Sequence, residues 1–159
     1  LFNIIGSDIS EGGHSSFLDL FAGTGSVGIE ALSRGADHVR FVDQNHKAIE
    51  IIHDNLEHTR LAARGEVMRA DALALLQRTA NRNFDYVYVA PPQYKGLWKQ
   101  TLLALDANPS WLTDDAWVIV QIHPVEYEAL SYPEELHNLA EFDQRRYGST
   151  LLVFYQAFP

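Results

Sequence analysis

Ser16-Phe17-Leu18-Asp19-Leu20-Phe21-Ala22-Gly23-Thr24-Gly25-Ser26-Val27-Gly28 is the stretch whose reading decides the fold. A short, mostly apolar run ends in a glycine cluster, and Val27-Gly28-Ile29-Glu30-Ala31-Leu32 returns to helical spacing, so the order is strand, tight turn, helix. Gly35 closes that helix, and His38-Val39-Arg40-Phe41-Val42-Asp43 reads as a second strand. A helix from Asn45 to Ala62 follows, with apolar residues at Ile49, Ile52, Leu56 and Leu61. One βαβ unit is thereby complete.

The alternation continues outward. Glu66 to Arg69 is a third strand, and a helix carrying Leu73, Leu75 and Leu76 follows Asp71. Asp85-Tyr86-Val87-Tyr88-Val89 is a fourth strand stopped by Pro91-Pro92, with a helix from Trp98 to Leu105 and a buried fifth strand from Ala116 to Ile122 after it. Phe142 to Arg146 and Thr150 to Tyr155 flank Tyr147-Gly148-Ser149 as a closing hairpin. The expected architecture is α/β: three Rossmann-like layers, a mostly parallel sheet between helices, and antiparallel strands at one edge.

Composition bounds the rest. The chain of 159 residues, 47% hydrophobic and 21% charged, is long enough for one sizeable core, and a single domain over 1–159 is expected. A net charge of −9 argues against broad adhesion to nucleic acid or anionic lipid and leaves room for a local basic patch. The absence of cysteine excludes disulfides and thiolate metal sites. No run approaches the roughly 18 apolar residues of a membrane span, and no signal peptide is evident, so a cytoplasmic protein is expected. Leu1-Phe2-Asn3-Ile4-Ile5 reads like the tail of an element begun upstream. The seven histidines show no ligand spacing, and no metal is expected.

Gly23-Thr24-Gly25-Ser26-Val27-Gly28 matches GxGxxG between a strand and a helix, about 20 residues before Asp43. Its glycines allow close backbone approach, the helix start favours an anionic group, and Asp43 can accept the hydroxyls of an adenosine ribose. A dinucleotide satisfies those features as readily as another nucleoside. Asp19 separates the two. A carboxylate inside a strand needs compensation; a pyrophosphate would repel it, whereas a ligand with an ammonium and a sulfonium beside its carboxylate, as in S-adenosylmethionine, would attract it. Satisfaction of Asp19 by neighbouring backbone amides is the alternative, and it is compatible with that reading. Asp71 can reach an adenine amine or cap a helix, and Gln44 can cover the adenine face or stand in solvent.

Asp19 to Gly25, Ser33-Arg34-Gly35-Ala36, Phe41-Val42-Asp43 and Arg146-Tyr147-Gly148-Ser149-Thr150 together resemble the RsmD family of 16S ribosomal RNA guanine-N2 methyltransferases. The resemblance runs from Leu1 to Tyr155, and it implies a class I methyltransferase fold of seven strands. Family members carry a basic N-terminal segment before the position of Leu1. The resemblance also implies that Gly23 and Gly25 lie under the methionine moiety of S-adenosylmethionine, that Asp43 binds its ribose, and that Asp71 and Ala72 lie near its adenine; Asp19, Phe21, Ala22, Thr24 and Gln44 complete the candidate cofactor-binding residues. The implied partner is 16S rRNA or a small-subunit assembly intermediate.

One block departs from the family. Where it has Asp or Asn, then Pro-Pro, then Phe or Tyr, this chain has Ala90-Pro91-Pro92-Gln93. The acid or amide normally holds the hydrogens of the target amine, and alanine has no acceptor. The Pro91 carbonyl and the Gln93 side chain are replacements, Tyr94 offers a stacking face one residue later, and Lys95, Lys99, Arg145 and Arg146 are candidate phosphate contacts. Two rivals stay open. One is an NAD-dependent oxidoreductase using the glycine turn, and the other a methyltransferase-like binding module silenced at Ala90.

Overall fold

The computed structural model describes residues 15–93 and 96–158. Leu1 to Ile5, Tyr94 and Lys95 lie outside the described residues, and with them the readings placed there. The chain divides into two compact units, Leu1–Ala72 and Leu73–Pro159.

In the first unit, β1 (Ser16–Asp19), β2 (His38–Asp43) and β3 (Gly65–Arg69) run parallel, with Ser16 opposite His38 and Val39 opposite Gly65. Phe17, Leu18, Val39, Phe41 and Val42 are fully buried, the continuous apolar signature of parallel strands covered on both faces. Helix α1 (Ser26–Ser33) follows β1, and Gly28 lets it lie close to β2. A Cβ there would come within 2.3 Å of the Phe41 ring and 2.9 Å of Val39. Helix α2 (His46–His58) buries Ile52 and Leu56 on one face and is capped by the Asn45 side chain, which accepts from Lys47 N and Ala48 N. It stops short of the expected Ala62. Arg60 adopts a left-handed φ of 61°, and Ala62–Arg64 tightens into a 3-10 turn.

The short helix α3 (Ala72–Leu76) begins at the end of the first unit. In the second unit, β4 (Phe84–Val89) and β5 (Leu112–Ile122) run parallel, and β6 (Leu139–Tyr147) and β7 (Thr150–Ala157) form the antiparallel closing hairpin, with β7 beside β5. Helix α4 (Leu97–Ala107) carries Asp106 in its last turn, whose buried carboxylate accepts the amides of His137 (3.0 Å), Asn138 (2.7 Å) and Leu139 (2.9 Å) and so fixes where β6 starts. Trp98 and Trp111 are buried, and Trp117 meets Phe142 at 4.9 Å and Phe154 at 6.0 Å, as expected for packing residues. β5 begins four residues before the expected Ala116; the polar Thr113-Asp114-Asp115 hid its first turn from a hydrophobicity reading. The seven strands belong to a seven-stranded sheet, mostly parallel with an antiparallel terminal hairpin.

Candidate functional site

The candidate cofactor-binding residues of the first unit lie at the carboxyl ends of β1 and β2. β1 ends at Asp19 rather than Phe21, because the chain then turns and Ala22 N donates to Val42 O at 2.9 Å. Gly23 and Gly25 have φ of +58° and +83°, a region that β-carbons disfavour. The two glycines differ in their surroundings. A Cβ on Gly25 would press on Ile52 at 3.3 Å, whereas one on Gly23 would meet nothing within 4 Å. Gly25 is therefore held by packing, and the space over Gly23 is open.

Asp43 organises this turn. Its Oδ2 accepts Gly23 N at 2.9 Å and its Oδ1 accepts Asn45 N at 2.9 Å, so it welds the glycine turn to the start of α2. Each oxygen retains a further lone pair, which leaves acceptor capacity for ribose hydroxyls. Asn55 adds a second strut by donating its amide to Thr24 O at 3.0 Å. Helix α1, unlike α2, has no side-chain cap at all. The Gly28 amide in its first turn is taken by Asp19, and the Gly25 N-cap offers no side-chain acceptor to the amides before it, which is the condition for receiving a ligand's carboxylate.

Asp19 is the electrostatic centre of the unit. Only 1% of it is exposed, and its Oδ1 finds no hydrogen-bond partner among the described residues. Burial pushes its pKa up from 3.8 to about 7; the Gly28 amide opposes that rise, and the neighbouring charge of Asp43 adds to it. A buried carboxylate with an unmet oxygen is costly unless a cation or donor completes it. S-adenosylmethionine fits these residues: cationic groups would satisfy Asp19, its carboxylate would meet the uncapped amides of α1, and Asp43 would take the ribose. Phe21 is half-buried, Ala22 buried and Thr24 exposed on the same turn. Gln44 and Asp71 are exposed, with the Gln44 carbonyl taken by Arg69 Nε at 3.1 Å, and Ala72 is buried at the start of α3.

The second unit places Ala90-Pro91-Pro92-Gln93 directly after β4, where Val89 pairs with Val120. Ala90 and Pro91 are half-buried; Pro92 and Gln93 are exposed. The cationic candidates separate. Lys99 binds Glu128, which holds its pKa above the usual lysine value, and Arg145 pairs with Asp143 at 3.0 Å. Arg146 instead donates its Nε to the Gly148 carbonyl at 3.1 Å, which anchors the guanidinium at the hairpin tip. His123 caps the turn Pro124–Glu126, its Nδ1 accepting Val125 N at 3.1 Å. Sequence reasoning overlooked Tyr127 and Gln144, which line a cavity of about 340 Å³ with Pro124, Arg146 and Leu151. Nothing local in the sequence joins positions 127 and 144; their common hydrogen bonds to Glu141 do. Among the described residues no His, Asp and Glu group could hold a metal ion, and no helix is long and apolar enough to cross a membrane.

The chain as a whole is similar to known proteins. A family described as "Conserved hypothetical protein 95" matches residues 1–156. The chain is 37% identical over 158 residues to "Putative rRNA methyltransferase YlbH" of Bacillus subtilis, covering 98% of this chain and 82% of that protein. It is 30% identical over 108 residues to "Ribosomal RNA small subunit methyltransferase D" of Buchnera aphidicola, covering 68% of this chain and 56% of that one, so it spans about half of the latter's length. A solved structure titled "Putative methyltransferase yhhF from Escherichia coli" superposes with a TM-score of 0.84 at 27% identity, over 99% of this chain and 84% of that one. The chain belongs to the conserved hypothetical protein 95 family, the RsmD family of class I methyltransferases.

Proposed function

We propose that this protein is an S-adenosylmethionine-dependent methyltransferase that modifies the exocyclic N2 of a guanine in 16S ribosomal RNA, in the cytoplasm. Family membership supports the activity, and the names of the relatives support a small-subunit RNA as substrate. The observation that carries the choice of cofactor is the buried, incompletely bonded carboxylate of Asp19 behind the uncapped start of α1. A nicotinamide dinucleotide would set a pyrophosphate against that carboxylate.

When bound, S-adenosylmethionine supplies an electrophilic methyl group on a positively charged sulfur. The chain's own work is to bind and to orient. Asp19 balances the ligand's positive charge, the α1 amides hold its carboxylate, and Asp43 fixes its ribose while keeping Gly23 in place. Phe21, Ala22, Thr24, Gly25, Gln44, Asp71 and Ala72 shape the walls. On the acceptor side, the main-chain carbonyl of Pro91 and the amide oxygen of Gln93 take the hydrogens of the guanine amine, and the prolines keep that strand end rigid. Arg145 and Arg146 favour a phosphate-bearing substrate. Tyr94 and Lys95 remain candidates for base stacking and phosphate contact. The target base must leave its stack to be reached.

Calorimetry with S-adenosylhomocysteine and with NAD tests the cofactor: heat from NAD alone would overturn the choice. Incubation with labelled methyl donor and unmodified small-subunit RNA, followed by mapping of the label, tests the substrate. Ala90 favours one second reading, a binding module without catalysis. Tight cofactor and RNA binding with no incorporation of label would select it.

A further inference from the structure

The second unit contains a cavity of which the methyl-transfer reading uses only Arg146. Pro124, Tyr127, Gln144, Arg146 and Leu151 line about 340 Å³, the lower end of the range for small-molecule sites. Its place in the fold is fixed by register. β4 and β5 run parallel with Val89 opposite Val120, and β5 and β7 run antiparallel with Ile122 opposite Leu151. The turn Pro124–Glu126 after β5 and the tip of the β6–β7 hairpin therefore lie at the same end of this unit as Ala90–Gln93. Two strand spacings, about 10 Å, separate β4 from β7. That is the reach of a neighbouring nucleotide in a single strand whose target base is held at the β4 end.

The lining has complementary parts. Pro124, Leu151 and the Tyr127 ring offer apolar surface of the kind on which unpaired bases lie. Tyr127 Oη donates to Glu141 Oε1 at 2.7 Å, and Gln144 Nε2 donates to Glu141 Oε2 at 2.9 Å. The Gln144 side chain also bonds the Tyr127 hydroxyl, which locks its amide and leaves its carbonyl oxygen for the edge of a base. Arg146, with its Nε held by the Gly148 carbonyl, keeps its terminal N–H groups for a phosphate. Behind Glu141, and paired with it in register, the Tyr155 hydroxyl is fully buried without a hydrogen-bond partner among the described residues. Val125, 83% exposed, and Tyr147, 53% exposed, are the chain neighbours of Pro124 and Arg146.

We infer that this cavity receives an unpaired nucleotide flanking the methylated guanine, its base between Tyr127, Pro124 and Leu151, its edge read by Gln144 and its phosphate held by Arg146. The inference rests on the RNA methyltransferase reading above and adds a second, sequence-reading subsite to it.

An unmodified 16S transcript carrying 4-thiouridine in place of uridine, photocrosslinked to the full chain, tests the site without any variant. Adducts are expected between Pro124 and Tyr147, on a nucleotide next to, or one removed from, the methylated guanine. Gln144→Ala and Tyr127→Ala are expected to raise KM for the RNA about tenfold, as for one lost hydrogen bond or ring contact, with kcat within twofold. Their affinity for S-adenosylhomocysteine should equal the wild type's. Arg146→Lys should recover part of the loss in Arg146→Ala. Crosslinks confined to other segments, or a KM within twofold for folded Gln144→Ala while the wild type methylates the transcript, would overturn the subsite alone. Cofactor binding by a wild type that neither methylates nor crosslinks to the transcript would overturn the reading of the substrate and the subsite with it.

Discussion

The glycine turn after β1 and the proline turn after β4 are both strand ends in a parallel sheet, yet they keep different amounts of their chemistry. At the first, every charged or conformationally special residue is in place: a buried acid at Asp19, left-handed glycines at 23 and 25, and Asp43 bonded to the Gly23 amide. At the second, the backbone device survives in Pro91-Pro92, but Ala90 brings no acceptor. One end is electrostatically demanding and the other permissive. Under the proposed function, the difference teaches that binding of a donor and activation of an acceptor are separable, since each is assigned to its own loop.

The comparison can be broken most forcefully at Asp19. Asp19→Ala is expected to lower affinity for S-adenosylmethionine by about 10² to 10³, the scale of removing one partner of a buried charge pair, as read by calorimetry. The same change should leave the melting temperature of the free protein unchanged or higher, because it removes a buried, incompletely bonded carboxylate. A large loss of stability instead would make Asp19 a structural residue.

Ala90→Asn sharpens the other side. Restoration of an acceptor at the β4 end is expected to raise kcat toward guanine amine up to about 10²-fold, with donor affinity unaltered, in single-turnover methyl transfer. No gain would show that the Pro91 carbonyl and Gln93 already hold the amine.

A smaller effect is expected at Gly28, which is needed for packing rather than for ligand. Gly28→Ala would drive a methyl into Phe41 and Val39 and should destabilise the fold by about 1 to 3 kcal/mol in denaturant titrations. Gly23→Ala has open space around it and carries only the cost of its left-handed backbone, about 1 kcal/mol.

The pH dependence is the mildest test. Because burial lifts Asp19 from 3.8 to about 7, the folded chain holds a proton that the unfolded chain has released between those values. The Asp19 contribution to stability is thus greatest below about pH 4 and is lost as pH rises to about 7. Donor binding has the opposite sign, since a cationic ligand prefers the carboxylate. Affinity should fall about fivefold from pH 7 to pH 6 and level off above about pH 8, with proton release on binding visible in buffers of different ionisation enthalpy. Asp19→Asn should abolish that slope.

Much of this was legible in residues 16–43, because a buried parallel strand, a glycine turn and a helix are all local events. β2 was read to the residue, since its six positions are all flanked by turn formers. Helix α2 was overextended because the left-handed Arg60 leaves no mark in the hydrophobic pattern. The start of β5 was lost for a related reason: its first polar residues are held as strand by pairing, with Leu112 opposite Phe84, and not by their own hydrophobicity. Asp19 and Asp43 were both picked out as site residues, but the tie from Asp43 to the Gly23 amide was not foreseen.

The order of elements, the acid at the end of each of the first two strands and the missing acceptor at Ala90 were determined by the sequence alone, because periodicity and residue chemistry are written along the chain. Whether a charge is balanced is not. That Asp19 keeps an unmet oxygen, that Lys99 and Arg145 are engaged by acids while Arg146 is held on a main-chain oxygen, and that Tyr127 and Gln144 share a cavity were decided by tertiary structure. Burial and hydrogen bonding depend on which distant residues the strand register brings side by side.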